Sequence, residues 1–396
     1  MARPFVVPNH YQSQLVGKIK RDRLAQDAKR KDLSPTIINC GTFEVSLARH
    51  FGFCYGVEHA IEVAYRALEE NPGANIYLLS EIIHNPEVNR DLTARGIRFL
   101  QDTSGNQLIA FSSLTAEDIV IVPAFGTTLE IEAKLQEIGI SPYRFNSTCP
   151  FVKKVWKRAN ELGKNGYSVI VHGKRGHEET RATFSHSVSM APTLVIKDMA
   201  DAEYILLYLG GSVSTADFIS RFSGNMSEGF NPEVDLAKIG VVNQTTMLAS
   251  ETRAISDRLR SGYLELYGDE ARVGDTRDTL CYATNENQDA TKALIEAGAD
   301  LALIVGGYNS SNTSHLYELC VEHFPTFYIK DASEIFSDTL IQSFHLETHQ
   351  LIQTEKWLPQ KPGLRIALTS GASCPGATVD AVILRLCELL GGNITT

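Results

Sequence analysis

A cysteine, an amphipathic stretch, a break, an apolar run and a polar cluster follow one another three times in this chain, and that recurrence constrains its fold more than any other feature. In "GFCYGVEHAIEVAYRALEENPGANIYLLSEIIHNPE", Cys54 precedes periodic apolar positions, a Pro-Gly break and a run that delivers His84 30 positions on. In "STCPFVKKVWKRANELGKNGYSVIVHGKRGHEET", Cys149 repeats the plan, with a break at Asn165-Gly166 and His177 28 positions on. In "LCYATNENQDATKALIEAGADLALIVGGYNSSNTSH", Cys281 leads the same way to Ser310, Ser311 and Asn312, about 30 positions on. Apolar positions three and four apart predict helices, and short continuous apolar runs predict strands buried on both faces.

"ANIYLLS", "DIVIVPAFG", "YSVIVHG", "YILLYLG", "LALIVGG" and "RIALTSG" all read as such strands. Their alternation with helical stretches predicts an α/β fold with largely parallel sheets, in which ligands gather at the carboxyl ends of the strands. Three cysteine-bearing units imply three similar α/β domains around a shared centre, a number that 396 residues can accommodate. The turn-rich "SPYRFN" and the charged "GDEARVGDTRDT" place boundaries near 146 and 276. The expected sections are an N-terminal extension over 1–36 and α/β domains over 37–146, 147–276 and 277–396. The basic opening segment has the look of a transit peptide, but it is not Ser-rich and contains Asp22, Asp27 and Asp32, so it reads as an extension.

Composition narrows the setting. With 43% hydrophobic and 21% charged residues and a mean hydropathy of −0.11, the chain reads as an ordinary globular protein. No apolar run approaches the roughly 18 residues needed to span a bilayer, and a net charge of −10 argues against a nucleic-acid surface. Seven cysteines without a dense framework or a secretory signal point to a reducing, cytoplasmic compartment.

Three thiolates remote in sequence suit an incomplete zinc site or an iron-sulfur cluster, since soft ligands select either. No CxxC motif is present. The alternative is three core cysteines, because free Cys is often buried; it is weakened by the glycines around Cys54, the Thr-Cys-Pro context of Cys149 and the helix start at Cys281, where free N–H groups favour a thiolate. No fourth cysteine shares the repeat context, so one metal position is left open to chemistry. Cys320 and Cys387 fall within helical apolar periodicity and read as core; Cys40 and Cys374 adjoin glycines and are weak candidates.

The motifs "GFCYGV", "EIIHNPEV", "STCP", "GHEET", "NQTTM", "CYAT", "NSSNTSHL" and "GASCPGA", taken in order from Phe51 to Gly392, resemble the 4-hydroxy-3-methylbut-2-enyl diphosphate reductase family, in its cyanobacterial and plastid branch. The resemblance implies a [4Fe-4S] cluster at the centre of the three domains, held by Cys54, Cys149 and Cys281 with one iron open. It implies an allylic diphosphate substrate whose hydroxyl leaves as water, giving isopentenyl and dimethylallyl diphosphate in the methylerythritol phosphate pathway. His84, Ser310, Ser311, Asn312 and Ser373 resemble the diphosphate ligands. His177 resembles a residue shared between substrate binding and proton supply, Glu179 the proton donor, with Glu178 pointing elsewhere, and Thr246 its hydrogen-bonding helper. Where many bacterial members carry "AHG", this chain has "AFG"; Phe125 has no donor, so that contact is lost or made by another group.

Several donors beside helix N-termini bind anions without a lysine. No GxxxxGK[ST] loop or convincing dinucleotide fingerprint is present, so electrons are expected from a protein donor, which the resemblance suggests is ferredoxin. "KRDRLAQDAKRK" and "VKKVWKR" are candidate basic patches for it. The expected location is the cytoplasm, or the plastid stroma in a plant or alga. A Cys/His-dependent hydrolase or hydro-lyase and an iron-sulfur carrier without substrate are the competing readings; the polar residues near the cysteines disfavour the carrier.

Overall fold

The computed structural model describes residues 5–274 and 279–394, so the expected boundary near 276 lies outside the described residues. The chain forms two compact units, one of Met1–Glu58, His84–Asn89 and Tyr282–Thr396, the other of His59–Ile83 and Arg90–Cys281.

The first unit is built on a five-stranded sheet in the order Thr36–Asn39, Phe43–Leu47, Leu364–Ser370, Leu301–Val305, Thr326–Ile329. Only the first pair is antiparallel. Leu301–Val305 is buried throughout, and its side chains divide between the two faces with the strand period of two. Leu303 and Val305 pack with Val379, Val382 and Ile383 of helix Gly376–Leu390, whereas Ala302 and Ile304 pack with Leu294 and Leu316 of helices Tyr282–Ala297 and Ser311–Val321. The N-terminal extension is part of this unit. Its helix Leu15–Gln26 places Val16 in the first core, and Asp380 caps that helix from outside, accepting from Ser13 Oγ (2.6 Å), Leu15 N (3.1 Å) and Val16 N (2.9 Å). Strands Leu340–His345 and Gln350–Glu355 form a separate antiparallel pair.

The second unit carries two wholly parallel sheets: Arg98–Phe99, Ile76–Leu78, Ile119–Val122, Phe145–Asn146, and Thr193–Ile196, Ser168–His172, Ile239–Asn243. Val169 and Val171 face Val155 and Leu162 of helix Pro150–Lys164, while Ile170 packs with Ile255 and Leu259 on the other side. That helix starts where its sequence says it should: Cys149 is the N-cap, Pro150 occupies the first turn, and the chain leaves at Asn165.

Five of the six expected strands are strands. The exception is "YILLYLG", which lies in helix Met199–Leu209, started by Asp198 accepting from Asp201 N at 3.1 Å. An unbroken apolar run has no period to tell helix from strand, and here Ala202, Ile205 and Leu206 are buried at helical spacing. The section expected to begin at residue 37 also has a nonlocal feature: Phe43–Leu47 pairs in register with Leu364–Leu368. Among the described residues, no helix is long and apolar enough to cross a membrane.

Candidate functional site

In the first unit, the polar cluster sits at the carboxyl ends of Leu301–Val305 and Leu364–Ser370. Gly306 and Gly371 follow these strands, and a Cβ there would stand 2.7 Å and 1.9 Å from Thr313 Oγ1. Glycine at both positions lets the N-terminus of helix Ser311–Val321 nest against the strand ends. Ser310 is its N-cap, with Oγ accepting from Thr313 N (3.3 Å) and Thr313 Oγ1 (2.9 Å), which leaves its own proton to donate. Asn312 Oδ1 accepts from Ala372 N (2.9 Å) and Asn287 Nδ2 (3.3 Å), while its Nδ2 and the Ser311 hydroxyl are buried without a partner among the described residues. Ser373 Oγ donates to the His84 carbonyl at 2.9 Å, and Asn309 Nδ2 lies 3.3 Å from His84 Nδ1. The five expected diphosphate ligands are therefore neighbours within one unit. Buried donors at a helix N-terminus are the kind of groups that can receive an anion without a cation.

Cys54 belongs to the same unit and opens helix Tyr55–Glu70; its backbone N–H donates to Ala372 O at 3.2 Å. Burial pushes its thiol up, and the N–H groups of Val57 and Gly56 pull it back, so the helix start offers partial support to a thiolate.

The second unit gathers the remaining candidates. His177 is the N-cap of helix Glu178–Val188 and its Nδ1 accepts from Glu179 N at 3.2 Å, which leaves Nε2 as the protonated nitrogen of the neutral ring. Phe125 meets that ring edge to face at 5.7 Å. Glu179 is 1% exposed. Its two oxygens accept from Thr245 N (2.5 Å) and Thr245 Oγ1 (2.9 Å). Thr246, the expected helper, instead accepts from Gln244 Nε2 at 2.8 Å. Thr245 is thus the residue that holds the acid, and "NQTT" contained both threonines without showing which one turns inward. Thr245 O also accepts from Cys281 N (3.1 Å), and Cys149 N donates to Ala124 O (2.9 Å), so Cys281 is tied to the segment whose Thr245 holds Glu179 and Cys149 to the segment that carries Phe125. Glu178 turns to a different partner, the Ser80 hydroxyl, and lines a small cavity with Arg181.

Among the described residues, no group of three or more His, Cys, Asp or Glu side chains is arranged as a metal site. Cys40, Cys320, Cys374 and Cys387 are buried in apolar surroundings; burial pushes the thiols of Cys40, Cys320 and Cys374 up to about 12, as expected of inert core cysteines.

These features define an α/β protein with a cluster of buried hydroxyl and amide groups at a helix start in one unit and, in the other, a buried carboxylate near a half-buried imidazole. Residues 45–387 match the family described as LytB protein, and the chain belongs to that family. It is 40% identical over 353 residues to the 4-hydroxy-3-methylbut-2-enyl diphosphate reductase of a Synechococcus species, covering 88% of this chain and 86% of the relative. Against the reductase of the same name from Gloeobacter violaceus the identity is 38% over 361 residues, 89% and 84% of the two chains. Among solved structures, the fold matches an (E)-4-hydroxy-3-methyl-but-2-enyl diphosphate reductase (TM-score 0.52, 24% identity, 87% of this chain and 99% of that one) and the Plasmodium falciparum reductase (TM-score 0.62, 20% identity, 87% and 88%).

Proposed function

We propose that this protein reduces 4-hydroxy-3-methylbut-2-enyl diphosphate to isopentenyl and dimethylallyl diphosphate in the methylerythritol phosphate pathway. The observation that carries this reading is the 40% identity, over 88% of the chain, to a reductase of that name. Cys54, Cys149 and Cys281 fit a [4Fe-4S] cluster by chemistry: each is a soft ligand that opens a helix, where free N–H groups favour a thiolate. When bound, the cluster supplies the electrons and an open iron as Lewis acid. The four-stranded sheet of the first section, the three-stranded sheet of the second and the parallel strands Leu301–Val305, Thr326–Ile329 and Leu364–Ser370 of the third support three α/β domains around that centre, with the sections 37–146, 147–276 and 277–396 as their approximate extents, although Thr36–Asn39 and Phe43–Leu47 join the sheet of the third.

This chain's residues then divide the remaining work. The first unit's cradle, Ser310, Ser311 and Asn312 with His84 and Ser373, holds the diphosphate. Ser373 takes part after its hydroxyl turns away from the His84 carbonyl. Phe125 contributes no donor and packs on His177, which orients that imidazole. Glu179 gives a proton to the departing hydroxyl, making water of a poor leaving group, and Thr245 fixes the carboxyl that gives it. His177 supplies its Nε2–H to the same network, and Thr246, through Gln244, braces the adjoining turn. Each turnover consumes two electrons and two protons, releases one water and leaves one proton on carbon.

Ferredoxin is the proposed electron donor and the cytoplasm, or a plastid stroma, the proposed setting. The test is anaerobic, iron-loaded protein with reduced methyl viologen: substrate-dependent viologen oxidation with both isoprenoid diphosphates as products is expected. Iron-replete protein that oxidises no viologen on addition of substrate would overturn the assignment.

A further inference from the structure

A cavity of about 500 Å³ in the first unit is lined by charges that the proposed reaction does not use. Lys20, Arg21, Arg30 and Arg49 face two carboxylates, Glu58 and Glu286, so cations are in excess. Burial raises both carboxyls above their usual range. Arg30 Nη1 lies 3.6 Å and His50 Nδ1 3.7 Å from Glu286 Oε2, and Lys20 Nζ donates to Phe51 O at 2.6 Å.

Arg49 is the unexplained member. It is 6% exposed, and its Nε and Nη2 have no acceptor among the described residues. His50, 8% exposed, likewise has no partner for Nε2. Three acids lie in the field of Arg49, and each has a closer partner: Asp27 accepts from Asp32 N, Asp32 pairs with Arg23 at 2.9 Å, and Glu286 faces Arg30 and His50. A buried guanidinium without acceptors is costly, and the Nε/Nη2 edge is the one that pairs bidentately with a carboxylate or phosphate.

We propose that this cavity is an oxyanion site, with Arg49 as the primary ligand and Lys20 and Arg30 beside it, separate from the cradle that holds the substrate's diphosphate. Cys54 forms part of the same wall. The oxyanion has two sources, a free small anion or an acidic side chain presented by the electron-donor protein. The second source rests on the proposed function, because it makes this wall the place where electrons enter; the first does not.

Two arms separate these sources, both on iron-loaded protein and both comparing wild type with Arg49→Gln and Arg30→Gln. In one, inorganic phosphate is titrated against chloride at equal ionic strength and binding is read by calorimetry and thermal shift. In the other, turnover is driven by a reduced acidic [2Fe-2S] ferredoxin or by methyl viologen. Phosphate binding that weakens about tenfold or more in Arg49→Gln identifies a free anion. Ferredoxin KM rising about tenfold with viologen-driven turnover unchanged identifies a presented carboxylate. Arg30 is half-exposed and its substitution leaves the core intact, so a smaller shift of the same sign in Arg30→Gln decides the matter if Arg49→Gln fails to fold. Equal phosphate binding and equal ferredoxin KM in all three proteins overturn the proposal, as does a parallel fall in viologen-driven and ferredoxin-driven turnover. Wild type that holds iron but turns over with neither reductant counts against the proposed function alone, and the phosphate arm still decides the site.

Discussion

Replacing Glu179 with Gln removes a transferable proton and little else. The side chain is 1% exposed and both oxygens accept from Thr245, through N and Oγ1. In the variant the amide oxygen still accepts from Thr245 N–H, and the amide nitrogen faces Thr245 Oγ1, which rotates to accept. With the acid protonated, both hydrogen bonds are exchanged for neutral ones of similar strength, so a stability loss of no more than about 1 kcal/mol is expected. Turnover falls further, by roughly 10² or more, which corresponds to about 2.7 kcal/mol or more of barrier. Glu178→Gln is the control: it touches Ser80 instead, loses no more than about 1 kcal/mol by the same reasoning, and keeps turnover near wild type. The assay is viologen-driven turnover with iron content and a denaturation curve for each variant. Near-normal turnover in Glu179→Gln together with collapse in Glu178→Gln would refute the assignment of the acid.

Cys54→Ser, Cys149→Ser and Cys281→Ser should each reduce iron content and abolish turnover, while Cys320→Ser, inside a helix core, leaves iron nearly unchanged; iron analysis of the four variants checks this. Gly371→Ala sets a Cβ 1.9 Å from Thr313 Oγ1, so it should destabilise by about 1–3 kcal/mol and raise substrate KM, because Ser310 and Asn312 ride on the displaced helix start. His50 is pulled down to about 4, first by burial and then by Arg49, Arg30 and Lys20. Between pH 6.5 and about 4 the unfolded chain binds the extra proton, so stability present above 6.5 is lost as pH falls through that window, by up to roughly 3 kcal/mol. Denaturation of His50→Gln and wild type at pH 7 and pH 4.5 should show the smaller acid loss in the variant.

The parts of the fold that were legible in the sequence are those set by local periodicity. Ser168–His172, with its apolar centre Val169–Val171, and the wholly apolar Leu301–Val305 are bounded by glycines, and helix Pro150–Lys164 announces its start with Cys-Pro and its end with Asn-Gly. "YILLYLG" defeated the same reasoning because it lacks a period. Pairing between distant segments leaves no local trace, and so the union of Phe43–Leu47 with Leu364–Leu368 was invisible. At the candidate site, residue types were legible and orientations were not. The adjacent carboxylates Glu178 and Glu179 part to Ser80 and Thr245, and of Thr245 and Thr246 only the first reaches the acid. Arg49 carried no motif at all; only burial singles it out.

The pairing of Phe43–Leu47 with Leu364–Leu368 has a consequence for synthesis on the ribosome. Glu44 and Arg365 are ion-paired neighbours 321 residues apart. At the usual 5–20 residues per second, the nascent amino-terminal hairpin waits roughly 15–60 s for its partner strand, with an unpaired edge exposed. The second unit, largely one continuous stretch from Arg90 to Cys281, emerges in full during that interval and can consolidate first. Truncation between Cys281 and Leu364 would therefore release a chain with one finished unit and one permanently open sheet, the form that chaperones and proteases are equipped to recognise.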